Sequence, residues 1–217
     1  MKLSQLALIG AKRTTEVTLN DDLFGPINPE LLAQAVSIYR SNQRQGGAKT
    51  QDRGDVNRTK TKWYKQKGTG RARHGARSAN LFIGGAVAHG PTGLENYTKR
   101  ITPKMKKAAL RSALAMTAAT NNVLVGSGMD AFTGKTKEAF EVITRVNPER
   151  TEKILFVIAG EYDKFRQAMG NIPEAALTRA DRVNALEVAT ADKVVILKEA
   201  VEVLEKRLAR AQKEVSE

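Results

Sequence analysis

Short apolar runs alternate with longer stretches of helical periodicity over most of the chain, and the alternation breaks once. Residues 6–9 (Leu-Ala-Leu-Ile) and 16–19 (Glu-Val-Thr-Leu) predict two strands around a turn at 10–13, a hairpin pattern. Asn28 followed by Pro29 predicts a capped helix, with Leu31, Leu32, Ala35, Val36 and Tyr39 as its apolar stripe. Thr102-Pro103 opens a second helix, with Met105, Ala109, Leu110, Ala113, Leu114 and Thr117 facing inward. Strands at 122–125, 154–158, 176–179 and 194–197 then alternate with helical segments near 135–146, 161–170, 182–190 and 198–213. The alternation predicts an α/β fold, a three-layer α/β/α arrangement with a mostly parallel central sheet. The pattern leaves the strand order open.

The break lies at 45–98, where almost no large aliphatic residue appears before Leu81 and glycines recur at 46, 47, 54, 68, 70 and 75. Charge changes what that break means. Between Arg40 and Arg111 there are 18 Lys and Arg against three acids, Asp52, Asp55 and Glu95. Removing these from the chain's 36 bases and 23 acids leaves 18 and 20, so the net charge of +13 comes from one internal third. Such a stretch buries too little apolar surface to offset its own ordering entropy. It is expected to be a long extended internal loop, inserted in one globular domain made of 1–44 and 99–217 and ordered by a polyanionic partner. Doubled back as two arms, a loop of this length reaches roughly 80 Å at ~3.3 Å per residue.

Composition removes several classes of function. With no cysteine there is neither a disulfide nor a thiolate metal site nor a cysteine nucleophile. No run of about 18 apolar residues occurs, and the first residues lack a signal-peptide core, so the expectation is a cytoplasmic protein with no membrane partner. Nucleic acid is the leading partner for a chain with a sequence pI near 10.0.

Two nucleotide motifs fail on spacing. Gly134-Lys135-Thr136 ends like a phosphate-binding loop, but the required earlier glycine falls on Met129, with Gly128 one residue too early. Gly126-x-Gly128 opens a dinucleotide fingerprint with Ala131 and Glu149 at allowed distances, but Pro148 stands where the second strand should run. His74 and His89, the only histidines, lie among Gly and Arg rather than near carboxylates, so no metal site or catalytic constellation is expected. An enzyme with a basic loop for an RNA substrate and a sequence-specific DNA binder are the competing readings. The first lacks a site, and the second would use a recognition helix instead of a glycine-rich arm.

The run Lys60-Thr61-Lys62-Trp63-Tyr64-Lys65-Gln66-Lys67-Gly68-Thr69-Gly70-Arg71-Ala72-Arg73-His74-Gly75 has the parts of an RNA-binding arm. Cations neutralise phosphates, glycines permit close approach, and Trp63, Tyr64, His74 and the Arg planes can stack on unpaired bases. The decapeptide 66–75, followed by Arg77, Gly84-Gly85, His89-Gly90-Pro91 and the Lys-rich helix at 104–110, closely resembles the ribosomal protein L-four family of the large subunit. The resemblance continues to the 192–195 strand and the final helix. It departs at Lys62, where family members often carry proline, and at Thr92-Gly93-Leu94-Glu95, where they often carry Pro and Arg.

The resemblance implies a non-enzymatic constituent of the large subunit without a cofactor, supporting assembly. A loop threads large-subunit ribosomal RNA towards the peptide exit tunnel. Its implied partners are that RNA, neighbouring large-subunit proteins and the nascent peptide at the loop tip. The residues implied at or near the loop's inner end are Lys62, Trp63, Lys65, Gln66, Lys67, Gly68, Thr69, Gly70, Arg71 and Arg73. Charge and stacking add Arg44, Lys49, Arg53, Arg58, Lys60, Tyr64, His74, Arg77, His89, Lys99, Arg100, Lys104, Lys107 and Arg111 to the expected RNA contacts.

Overall fold

A computed structural model describes residues 2–7, 14–20, 23–128, 132–149 and 151–209. The chain divides into two compact units, one formed by residues 1–39 and 100–217 and the other by 40–99. The first unit contains a six-stranded sheet. Its strands are β1 (Lys2–Ala7), β2 (Thr14–Thr18), β3 (Val123–Ser127), β4 (Ile154–Ile158), β5 (Ala175–Arg179) and β6 (Lys193–Leu197). Their order across the sheet is β2-β1-β3-β6-β4-β5. Only β2 runs antiparallel to its neighbour, with Lys2 opposite Thr18 and Leu6 opposite Thr14, so the expected hairpin is present. Its first strand begins earlier than the apolar run suggested, because Lys2, Leu3 and Ser4 pair with Thr18, Val17 and Glu16 of β2, and backbone pairing extends to polar residues that hydropathy passes over. Residues 8–13, which include part of that run and its turn, lie outside the described residues.

The other pairings are parallel, and β6 sits between β3 and β4 although it is last in sequence. All five residues of β4, Ile154 to Ile158, are buried, and β6 is buried at Val194 to Leu197. A strand buried at consecutive positions points side chains alternately to both faces, so both faces must be covered. The covering helices are α2 (Pro103–Ala119), α3 (Thr136–Val146), α4 (Asp163–Met169), α5 (Ala185–Thr190) and α6 (Lys198–Ala209), with α1 (Pro29–Asn42) contributing as far as residue 39. Helix α2 packs on α5, and α3 packs on α4. The fold is the α/β class with a mostly parallel sheet.

Caps explain where several helices begin. Asn28 accepts from the Leu31 N–H at 3.0 Å ahead of Pro29, and Thr102 accepts from the Met105 N–H at 3.3 Å ahead of Pro103. Ser112, buried in α2, accepts from the Asn28 N–H at 2.8 Å and donates to the Asn28 carbonyl at 3.3 Å. That exchange makes Ser112 an inward position despite its hydroxyl, whereas Met105 and Thr117, expected inward, are half-buried. Asn184 and Glu187 form a reciprocal capping box on α5, a helix of only two turns. Replacing Asn184 with alanine is expected to cost about 1 kcal/mol in urea unfolding, because an orphan N–H loses its acceptor. An unchanged midpoint would show that α5 is held by packing alone.

The core centres on three aromatic rings. Phe165 of α4 lies 4.9 Å from Phe132 and 5.7 Å from Phe156 of β4, both edge to face, and all three are fully buried. Gly126 is inside β3, paired with Leu6 and Leu197, so the glycine pattern at 126–128 belongs to the strand and its end. Lys135 precedes α3 in extended conformation, and the Glu138 carboxylate accepts from the Thr133 N–H at 2.9 Å and from the Thr133 hydroxyl at 2.5 Å.

Candidate nucleic-acid interface

Residues 40–99 contain the end of α1 and no other described helix or named strand; turns and two antiparallel bridges organise the remainder. Lys49 pairs with Thr92, and Lys62 pairs with Ala76 inside it. These pairings are nested, so the chain runs out along one arm, turns near 68–70 and returns along the other. Gly68 and Gly70 supply the turn, with φ of 84° and 66° in the left-handed region where a side chain is strained. The Trp63 N–H donates to the Gly75 carbonyl at 3.1 Å beside the inner bridge.

Aromatic packing then closes the inner part of the arms. Trp63 lies 5.2 Å from Phe82, 5.6 Å from Tyr64 and 6.5 Å from His74, and His74 is 5.0 Å from Phe82. The Tyr64 hydroxyl donates to the Ala72 carbonyl, and the Arg77 guanidinium lies 5.0 Å from the Trp63 ring centre. Four of the expected contact residues, Trp63, Tyr64, His74 and Arg77, therefore share one cluster, with Trp63 still 45% exposed. Phe82 was missed as a member. Its apolar neighbours Leu81 and Ile83 marked a break in the basic run, and nothing in spacing tied it to Trp63.

The cations are mostly turned to solvent. Lys60, Lys62, Lys65, Lys67, Arg71 and Arg73 are exposed, as are Gln66, Gly68, Thr69 and Gly70. Lys62 donates to Gln66 within the same stretch. Nearer the start of the arm, Arg44 stacks on Tyr97 at 4.0 Å, Lys49 is 3.8 Å from Asp55, and Arg53 is exposed. Arg58 donates to the Ile83 carbonyl at 3.3 Å, which ties one arm to the other. His89 is exposed with a left-handed φ of 52°, and Lys99 is exposed with its N–H on the Asn42 side chain at 2.7 Å.

In the first unit, Arg100, Lys104 and Lys106 are exposed and Lys107 is half-buried. Arg111 does not share their situation. Its guanidinium donates to the Leu208 carbonyl at 2.6 Å, so this arginine serves the last turn of α6. Arg111 follows Lys104 and Lys107 at helical spacing in α2, but spacing carries no information about another helix packed alongside.

Glu95, one of three acids in the basic stretch, is used locally. Its carboxylate accepts from the Thr92 N–H at 2.8 Å, the Thr92 hydroxyl at 3.0 Å and the Gly93 N–H at 3.0 Å. These donors, the Thr92 N–H foremost, hold its pKa below the ordinary glutamate value. A depressed folded pKa means a contribution present above the unfolded value, about 4.3, and lost as pH falls through the lower folded one. The Thr92 and Gly93 amide resonances are accordingly expected to shift together in acid, below the ordinary glutamate pKa. Titration at or above that value would contradict the assigned bonds.

Among the described residues, no group of three His, Asp or Glu side chains is placed to hold a metal ion, and no helix is long and apolar enough to cross a membrane. The candidate interface is thus a doubled arm carrying exposed cations, with a cluster of aromatic rings inside it. The ribosomal protein L4/L1 family matches residues 17–207 of the chain. Proteins named "Large ribosomal subunit protein uL4" from Brucella ovis, Brucella canis and Brucella suis are each 33% identical to it over 205 residues, covering 93% of this chain and 97% of theirs. With a match running from β2 into α6 and relatives spanning nearly its whole length, the chain belongs to the ribosomal protein L4/L1 family.

Proposed function

We propose that this chain is a structural, non-catalytic constituent of the large ribosomal subunit that binds large-subunit ribosomal RNA and supports subunit assembly. Residues 45–98 act as the RNA-binding arm of a globular domain made of 1–44 and 99–217, and the arm reaches towards the peptide exit tunnel, with its tip near nascent peptide. The observation that carries this reading is the doubled arm of residues 40–99. It presents Lys60, Lys62, Lys65, Lys67, Arg71 and Arg73 to solvent around glycine turns. Exposed cations on a backbone without bulky cover suit a phosphate ladder, and Trp63 and Tyr64 suit stacking on unpaired bases. Lys99, Arg100, Lys104 and Lys107 add a second contact where the chain re-enters the α/β domain. The name of the Brucella relatives, large ribosomal subunit protein uL4, supports the subunit assignment.

Cosedimentation tests it: the chain is expected to remain with the large subunit after a high-salt wash. Binding of the isolated chain to large-subunit RNA is expected to fall with salt at a log–log slope of about −6 to −7, the value for eight phosphate contacts. A slope near zero would refute an electrostatic interface. Micromolar binding of ATP or NAD to the free chain would instead favour an enzyme built on the α/β domain.

A further inference from the structure

Helices α1, α2 and α5 border an open groove of about 560 Å³ in the first unit. Leu32 and Val36 from α1, Ala113 and Met116 from α2, and Val188 and Ala189 from α5 give it an apolar lining. Met116 is 51% exposed there and adds a long apolar side chain to the groove's open surface. In a chain with 36 Lys and Arg, none of the groove's lining residues is basic, and two are acids, Glu152 and Asp192. Glu152 pairs with Lys193 at 2.6 Å. Asp192 accepts from the Lys153 backbone N–H at 2.8 Å, a neutral partner, so its charge is not offset by that bond. An RNA backbone laid here would bring phosphates to a carboxylate and apolar walls, the opposite of what the basic arm offers. A basic side chain suits the groove because its aliphatic stem covers apolar surface while its charge reaches an acid.

We propose that this groove seats a Lys- or Arg-bearing, otherwise apolar segment of another protein of the large subunit. The segment's aliphatic side chains lie on Leu32, Val36, Met116 and Val188, and its cation faces Asp192. The proposal rests on the large-subunit reading above and adds a protein contact on a surface distinct from the basic arm.

The absence of cysteine makes the test direct, since Ala33→Cys places a unique thiol on an exposed residue of the groove. Its alkylation by a maleimide is measured on the purified chain and on assembled large subunits containing the variant. Alkylation is expected to be about tenfold slower or more in the subunit, because a covered thiol reacts only when the contact opens. A thiol-to-amine crosslinker is expected to join it to a lysine of another subunit protein. Asp192→Asn keeps an acceptor for Lys153 and removes the charge, and it is expected to reduce that crosslink. Thr120→Cys, also in the lining, replaces Ala33→Cys if the latter does not assemble. An unchanged alkylation rate in the subunit would overturn the proposal, and so would protection that ribonuclease abolishes, which would mean RNA covers the groove. Failure of the unmodified chain to sediment with the large subunit would remove the functional reading itself, and this proposal with it.

Discussion

Replacing Phe165 with alanine is expected to destabilise the α/β unit by about 3 to 5 kcal/mol. The ring is fully buried between Phe132 and Phe156, so the substitution removes both edge contacts and opens a cavity under α4. Because the neighbours include β4, buried at every position, the surrounding wall is held by sheet hydrogen bonds and closes only in part. A loss of this size is a large fraction of the ~5 to 15 kcal/mol that holds a typical domain. Urea unfolding followed by far-UV circular dichroism measures it. A loss below about 1 kcal/mol would mean the site collapses onto itself and the aromatic trio is not what holds α4. Phe165→Leu, which retains most of the apolar volume, separates cavity formation from loss of ring geometry.

Converting Lys60, Lys62, Lys65, Lys67, Arg71 and Arg73 together to glutamine is expected to leave the α/β unit folded and to weaken RNA binding severely. Each phosphate contact contributes nearly one unit to the salt slope, so losing six flattens it by about 4 to 5 units and lowers affinity about 10,000-fold at ~0.1 M salt. All six side chains are exposed, so their removal leaves no buried partner unsatisfied. Filter binding at several salt concentrations, beside a thermal melt, reads both quantities. Equal affinity with an unchanged slope would shift the RNA contact to Arg100, Lys104, Lys106 and Lys107. Changing Trp63 to leucine tests the other component, because stacking makes little contribution to the salt slope.

The two results divide along a line already visible in the amino-acid pattern. Alternating apolar runs at 154–158 and 194–197 announced a parallel sheet, and Asn28-Pro29 and Thr102-Pro103 announced helix starts, because caps and buried strands are local in sequence. The 40–111 charge surplus likewise marked the arm without any contact being known. Ser112 carries no apolar signal of burial, because its hydroxyl is satisfied by Asn28, 84 positions away. Phe82 carries no local signal for a related reason, since its partner Trp63 lies on the opposing arm and His74 lies nearer the turn on its own. Arg111 is spaced like one more cation on a basic helix, and its bond to the Leu208 carbonyl depends on α6, 97 positions away and outside any local pattern.

By itself, the order of residues determined element types, most helix starts and the position of the basic arm, since these depend on neighbours within a turn or along one strand. Tertiary structure alone decided that β6 enters between β3 and β4, that Lys49 meets Thr92 and Lys62 meets Ala76, and that an apolar groove lies among α1, α2 and α5. Those features require residues far apart in the chain to compete for the same partners and surfaces, and only packing in three dimensions resolves that competition.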